Sequence, residues 1–199
     1  MKLLVLGGTA FLGRHVVAEA LEQSHEVTVF TRGHTNPWLF PEAEHLTGDR
    51  DGNLHALVGR RWDGVIDTTG YVPRVVRQSA ELLRCSVLRY VYVSSVSVYA
   101  DHSRPFDETA PLATLDDPAT EDIWPNYGAL KAACEGVLDE IYGSRACHLR
   151  LMLQVLCYLC LDGWRYLCGQ ILNVTGIYRL LTIKDTKRTI CLPCCRPLL

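Results

Sequence analysis

The 199-residue chain lacks a basic surplus: 20 Lys+Arg stand against 22 Asp+Glu, a net charge of −2. No global positive field is therefore expected to gather nucleic acid or an anionic membrane surface. No basic segment followed by an apolar core opens the chain, and residues 1–6 run straight into a strand pattern; no secretory signal is expected. Long apolar runs are missing too. Residues 151–161 are mostly apolar but end at Asp162, short of the roughly 20 residues that cross a bilayer. The expectation is a cytoplasmic protein with no membrane partner, in which nine cysteines are reduced thiols rather than a disulfide framework. No internal repeat is visible. His15, His25, His34, His45, His55, His102 and His148 form no metal-ligand spacing, and no Ser/His/Asp order for hydrolysis stands out.

Lysine is scarce and unevenly placed. Only Lys2 and Lys131 precede residue 150. Residues 1–150 carry 14 Lys+Arg and 20 Asp+Glu, a net of −6, whereas residues 151–199 carry 6 and 2, a net of +4. The later stretch also holds six of the nine cysteines and no glutamate. Two units are expected: a domain over 1–150 and a divergent Cys-rich tail over 151–199.

What is present in the first unit is alternation. Apolar runs at 2–6, 26–30, 43–46, 64–67, 88–93 and 146–149 read as strands, the third of them weak. Helical spacing at 11–23, 54–58, 75–83 and 127–141 separates them, and residues 101–125 read as a long surface loop. Strands alternating with helices predict an α/β fold, a doubly wound parallel sheet. Ligands sit at the carboxyl ends of such strands. There the first turn reads Gly7-Gly8-Thr9-Ala10-Phe11-Leu12-Gly13. Glycines let a backbone approach a pyrophosphate, and the helix start behind them offers free N–H groups.

Three features in order carry a family resemblance. Gly7 and Gly13 bracket the first turn, Ser94-Ser95-Val96-Ser97-Val98-Tyr99 follows the fifth strand, and Tyr127-Gly128-Ala129-Leu130-Lys131 lies on a helix. Together they resemble the extended short-chain dehydrogenase/reductases, in the NAD-dependent epimerase/dehydratase family. The family's middle glycine is replaced here by Ala10, which predicts a slightly altered phosphate approach. The turn also resembles an atypical branch that includes chloroplast stem-loop RNA-binding relatives. The resemblance covers residues 1–150 and implies a Rossmann-type sheet whose C-terminal substrate lobe is largely missing from this chain.

The spacing of Tyr127 and Lys131 places both side chains on one helix face, one turn apart. A tyrosine is a poor base at neutral pH, and a nearby ammonium is expected to lower its pKa. Its hydroxyl then exchanges a proton with a substrate oxygen while hydride moves to or from nicotinamide. The resemblance adds that Lys131 holds the nicotinamide ribose and that Ser95 hydrogen-bonds the substrate oxygen. It also puts Asp49 and Arg50 beside the adenine and Thr68, Thr69 and Gly70 beside the nicotinamide, with Thr9, Ala10, Phe11 and Leu12 in the phosphate turn. No acid follows the second strand; Arg32 stands there and can fork onto a 2′-phosphate, which favours NADP over NAD.

The expected activity is NAD(P)-dependent oxidoreductase, epimerase or dehydratase chemistry on a sugar-like or other hydroxyl/carbonyl substrate, with catalysis by a truncated chain in doubt. The alternative is a non-enzymatic dinucleotide-sensing or RNA-binding module, against which the acidic first unit speaks. Family members often form homodimers through the Tyr127 helix. In the tail, Cys157, Cys160, Cys191 and Cys194 offer a four-thiolate zinc reading at unusual separation. Asn173-Val174-Thr175 matches a glycosylation acceptor that a cytosolic protein never uses. No metal is expected in the first unit.

Overall fold

The structure, a computed structural model, describes residues 1–103 and 105–151. Within them the apolar runs become strands β1 (Lys2–Leu6), β2 (Glu26–Thr31), β3 (Glu44–Thr47), β4 (Trp62–Asp67), β5 (Val87–Ser95) and β6 (Ala146–Leu151). They form one sheet in the order β3-β2-β1-β4-β5-β6. Every pairing is parallel. The connections are helices α1 (Phe11–Glu22), α2 (Pro73–Leu83) and α3 (Ile123–Tyr142) with short 3₁₀ turns. This is the expected doubly wound, Rossmann-like sheet.

Side chains alternate across each strand, and both faces of β1 are covered. Leu3 and Val5 meet α1 through Val16, Val17 and Ala20. Leu4 and Leu6 join the opposite cluster with α2 (Val76, Ala80, Leu83) and α3 (Cys134, Leu138, Ile141). Leu3 to Leu6 are all at 0% exposure; each such side chain contributes on the order of 2 kcal/mol. That explains an uninterrupted apolar run rather than an alternating one. Beyond β5 a buried charged cluster replaces apolar packing. Arg150 Nη2 donates to Glu135 Oε2 at 2.6 Å and Nη1 to the Tyr99 hydroxyl at 2.9 Å, tying β6 to α3 and to the segment after β5.

Several boundaries differ from the sequence expectation. The helix expected at 127 is entered at Ile123 but has non-helical backbone at Asn126 (φ −112°, ψ 15°). Pro125, which has no N–H to donate, sits in that first turn, and Asn126 Nδ2 donates to the Asp122 carbonyl at 3.1 Å. Regular helix resumes with Tyr127. The segment 54–58 is a 3₁₀ turn over His55–Leu57. β5 and β6 both run two residues further, because the ladder continues through Ser94↔Arg150 and Ser95↔Leu151. No described helix is long and apolar enough to cross a membrane. The tail cysteines, Asn173 and the rest of the 151–161 run beyond Leu151 lie outside the described residues.

Because β2 and β4 flank β1, the chain leaves β1 in one direction and returns in the other. A crevice therefore opens at the carboxyl end of β1.

Candidate active site

That crevice is a cleft of about 900 Å³. Its floor is the first turn, residues 7–13; its walls come from the ends of β2, β3, β4 and β5 and from the start of α3. Gly7 and Gly8 both have φ +102°, a backbone only glycine adopts at no steric cost. A side chain at Gly13 would put Cβ 2.7 Å from the Gly8 nitrogen, so the turn closes on itself. Ala10, the departure from the family pattern, has φ −144° and ψ 157°. Alanine takes that extended backbone as readily as glycine, so no distortion follows from the replacement. Ala10 is also the N-cap of α1, without a side-chain cap and with no acid in the first turn. The helix start thus offers uncapped N–H groups and the positive end of its dipole. Phe11 has φ 44° and is 91% exposed on the cleft wall.

The predicted residues sort as follows. Gly7, Thr9, Ala10, Phe11, Leu12, Gly13, Arg32, Asp49, Arg50, Thr68, Thr69, Tyr127 and Lys131 all line the cleft. Gly70 and Ser95 are buried behind the lining. Arg32 is exposed and, among the described residues, has no ion pair or hydrogen bond. The Asp49 carboxylate accepts from the Asp51 backbone at 3.0 Å. Arg50 faces inward: Nη1 donates to Asp67 Oδ1 and Nη2 to Ser79 Oγ, both at 2.7 Å.

At the β5 end, Ser95 Oγ donates to Ser97 Oγ at 3.0 Å and accepts from the Ser97 backbone at 3.1 Å. Lys131 is buried, its Nζ 2.9 Å from the Gly70 carbonyl and 2.6 Å from that of Val93. It also lies 4.1 Å from the Tyr92 ring centroid. Burial pulls its pKa down to about 8, against the opposing charge of Asp67.

The expected effect of Lys131 on Tyr127 is corrected by this geometry. The Tyr127 pKa is raised, first by burial and then by Tyr71, while hydrogen bonding to Ser95 opposes the rise. The Lys131 ammonium, engaged by the carbonyls of Gly70 and Val93, does not reverse that rise. Tyr127 is therefore a neutral phenol in the ligand-free chain.

Four residues were given no site role by the sequence reading, although Gly128 and Ser94 lie within its motifs. Gly128 lets α3 touch the segment after β5, since a Cβ there would fall on the Ser97 carbonyl oxygen; its place beside Tyr127 was the available signal. Ser94 lines the cleft with a buried Oγ that has no hydrogen-bond partner among the described residues. Tyr71 and Trp124 line the same end, the Tyr71 ring centroid 6.4 Å from that of Tyr127.

A glycine-turn cleft beside a Ser-Tyr-Lys group on this sheet agrees with comparison to known proteins. The model of the NAD dependent epimerase/dehydratase family matches residues 3–153. The chain belongs to that family. UDP-glucose 4-epimerase of Neisseria meningitidis serogroup B is 27% identical over 170 residues, covering 70% of this chain and 48% of that protein. The chloroplast stem-loop binding protein of 41 kDa b from Arabidopsis thaliana is 32% identical over 114 residues, covering 49% of this chain and 30% of that protein. A crystal structure of UDP-galactose 4-epimerase superposes with TM-score 0.60 at 25% identity, covering 75% of this chain and 55% of that one. The chain spans about half the length of these epimerases.

Proposed function

We propose that this family member binds a nicotinamide dinucleotide along the cleft and acts as an epimerase/dehydratase-like oxidoreductase on a hydroxyl or carbonyl of a sugar-like substrate. One observation carries the reading: the uncapped glycine turn, Tyr127 and Lys131 border a single cleft at the switch point of the sheet, with Ser95 buried just behind its lining. The residues fit such a cofactor. Backbone N–H groups of the α1 start take the pyrophosphate, and the missing side chains at Gly7, Gly8 and Gly13 leave it room. Arg32 takes a 2′-phosphate, so the preference is NADP over NAD. When bound, the dinucleotide supplies hydride exchange.

This chain's own residues handle the proton and the geometry. Tyr127, a phenol at neutral pH, donates its proton to a substrate oxygen and recovers it in the reverse direction. Ser95 fixes that oxygen after exchanging its bond to Ser97. Lys131 holds its end of the cleft through the carbonyls of Gly70 and Val93. Once a bound ligand draws the ammonium toward Tyr127, the phenolate is favoured. A cytoplasmic setting and a second copy docked through α3 belong to the same proposal.

The experiment follows conversion of a panel of nucleotide sugars by chromatography, with dinucleotide present, in wild type and Tyr127→Phe. Turnover by wild type, lost by about 10³-fold in the variant with cofactor binding retained, is the expected result. Equal turnover by both would remove Tyr127 from the mechanism. Tight dinucleotide binding without turnover would favour the sensing alternative. A salt-dependent RNA complex would favour the other alternative, against the −6 net charge of residues 1–150.

A further inference from the structure

Arg50 lies on the cleft wall, but both of its terminal nitrogens are engaged by protein groups. Nη1 meets Asp67 Oδ1 at 2.7 Å and Thr69 Oγ1 at 3.4 Å; Nη2 meets Ser79 Oγ on α2 at 2.7 Å. Asp67 is fully buried at the end of β4. Its carboxylate also accepts from the Thr69 backbone at 3.0 Å and from the Tyr90 hydroxyl at 2.7 Å. One residue further, the Gly70 carbonyl takes the Lys131 ammonium and the Tyr92 hydroxyl, each at 2.9 Å. Gly70 cannot shift freely: a Cβ there would stand 2.7 Å from the Tyr92 ring.

An unbroken series of polar contacts therefore runs under the cleft. It starts at Arg50, in the loop that carries Asp49, passes through Asp67 to Thr69, continues along the backbone to Gly70, and ends at Lys131. Burial makes the series stiff, since a buried charge that loses its partner is strongly penalised. Arginine suits the node, because its planar fork meets Asp67 and Ser79 at once; a lysine ammonium is a single point.

We propose that Arg50 and Asp67 are positioning residues that lock the Asp49 loop to the 68–70 loop and Lys131, so that the two halves of the dinucleotide bind as one unit. This rests on the function proposed above and goes beyond it. Arg50 is then a coupling element rather than a contact to adenosine.

The test uses the full chain and calorimetric titration with NADP⁺ and with adenosine 2′,5′-diphosphate, which lacks the nicotinamide half; NAD⁺ and ADP serve as the parallel pair. In Arg50→Lys the dinucleotide is expected to weaken about tenfold while the adenosine fragment changes less than about twofold, a coupling at the lower end of the usual range. Equal weakening of both ligands would overturn the proposal, since Arg50 would then touch the adenosine end itself. Unchanged affinity for both would also overturn it, leaving a structural ion pair. Should Arg50→Lys fail to fold, Ser79→Ala carries the test, because Ser79 lies on α2 outside the cleft lining. The same selective loss, smaller in size, is expected, and an equal or absent change contradicts it. A wild type that binds neither ligand would instead overturn the function proposed above, and this inference with it.

Discussion

Lys131 shows at the scale of one residue how function opposes stability. It is 3% exposed, and burial, partly offset by Asp67, Cys134 and Glu135, brings its pKa to about 8. The folded value lies below the unfolded one of about 10.4. Below pH 8 both states carry the proton, and the fold bears the whole penalty of a buried charge. Between pH 8 and about 10.4 the unfolded chain holds more protons, so this group's contribution improves as pH rises. Lys131→Met is therefore predicted to stabilise the protein at pH 7, by about 2 kcal/mol after the lost carbonyl contacts are discounted. The same variant should weaken dinucleotide binding, and wild-type affinity should fall above pH 8 as the ammonium is lost. Thermal denaturation and titration across pH 6–10 read both effects. A variant that melts earlier yet binds normally would make Lys131 a structural residue. The spacing of Tyr127 and Lys131 was legible as one helix face. The carbonyls opposite were not, because Gly70 and Val93 reach that face only through β4 and β5. For the same reason the pairing of Arg50 with Asp67, at the end of another strand, was not legible.

At the scale of elements, strands buried on both faces were the most legible feature. Leu3 to Leu6 and Val65 to Asp67 have no solvent side, so their runs are apolar nearly throughout. Edge strand β3 was weak in sequence because most of it is exposed. The entry to α3 was misplaced because Ile123 to Pro125 form a turn of helix before the irregular backbone at Asn126. The contact between the start of α3 and the segment after β5 depends on one missing side chain. Gly128→Ala is predicted to push the start of α3 off the Ser97 carbonyl, costing about 1–3 kcal/mol by overpacking. Turnover should fall more than cofactor affinity, since Ser95 and Tyr127 separate while the glycine turn stays in place. Denaturant midpoints with the kcat and Kd of the variant check this; a cofactor loss as large as the turnover loss would contradict it.

At the scale of the whole molecule, the described residues place a crevice where the strand order reverses, and its glycine-turn floor and its Tyr127 end come from elements far apart in sequence. Arg32 is an exposed cation on the cleft wall, and the proposed preference for NADP turns on that residue. The most direct test of the account is titration of the chain with NADPH and NADH, following nicotinamide fluorescence. The account predicts saturable binding at one site, with NADPH the tighter, and loss of that preference in Arg32→Ala through about a tenfold weakening of NADPH alone. Saturable binding of neither nucleotide would contradict it.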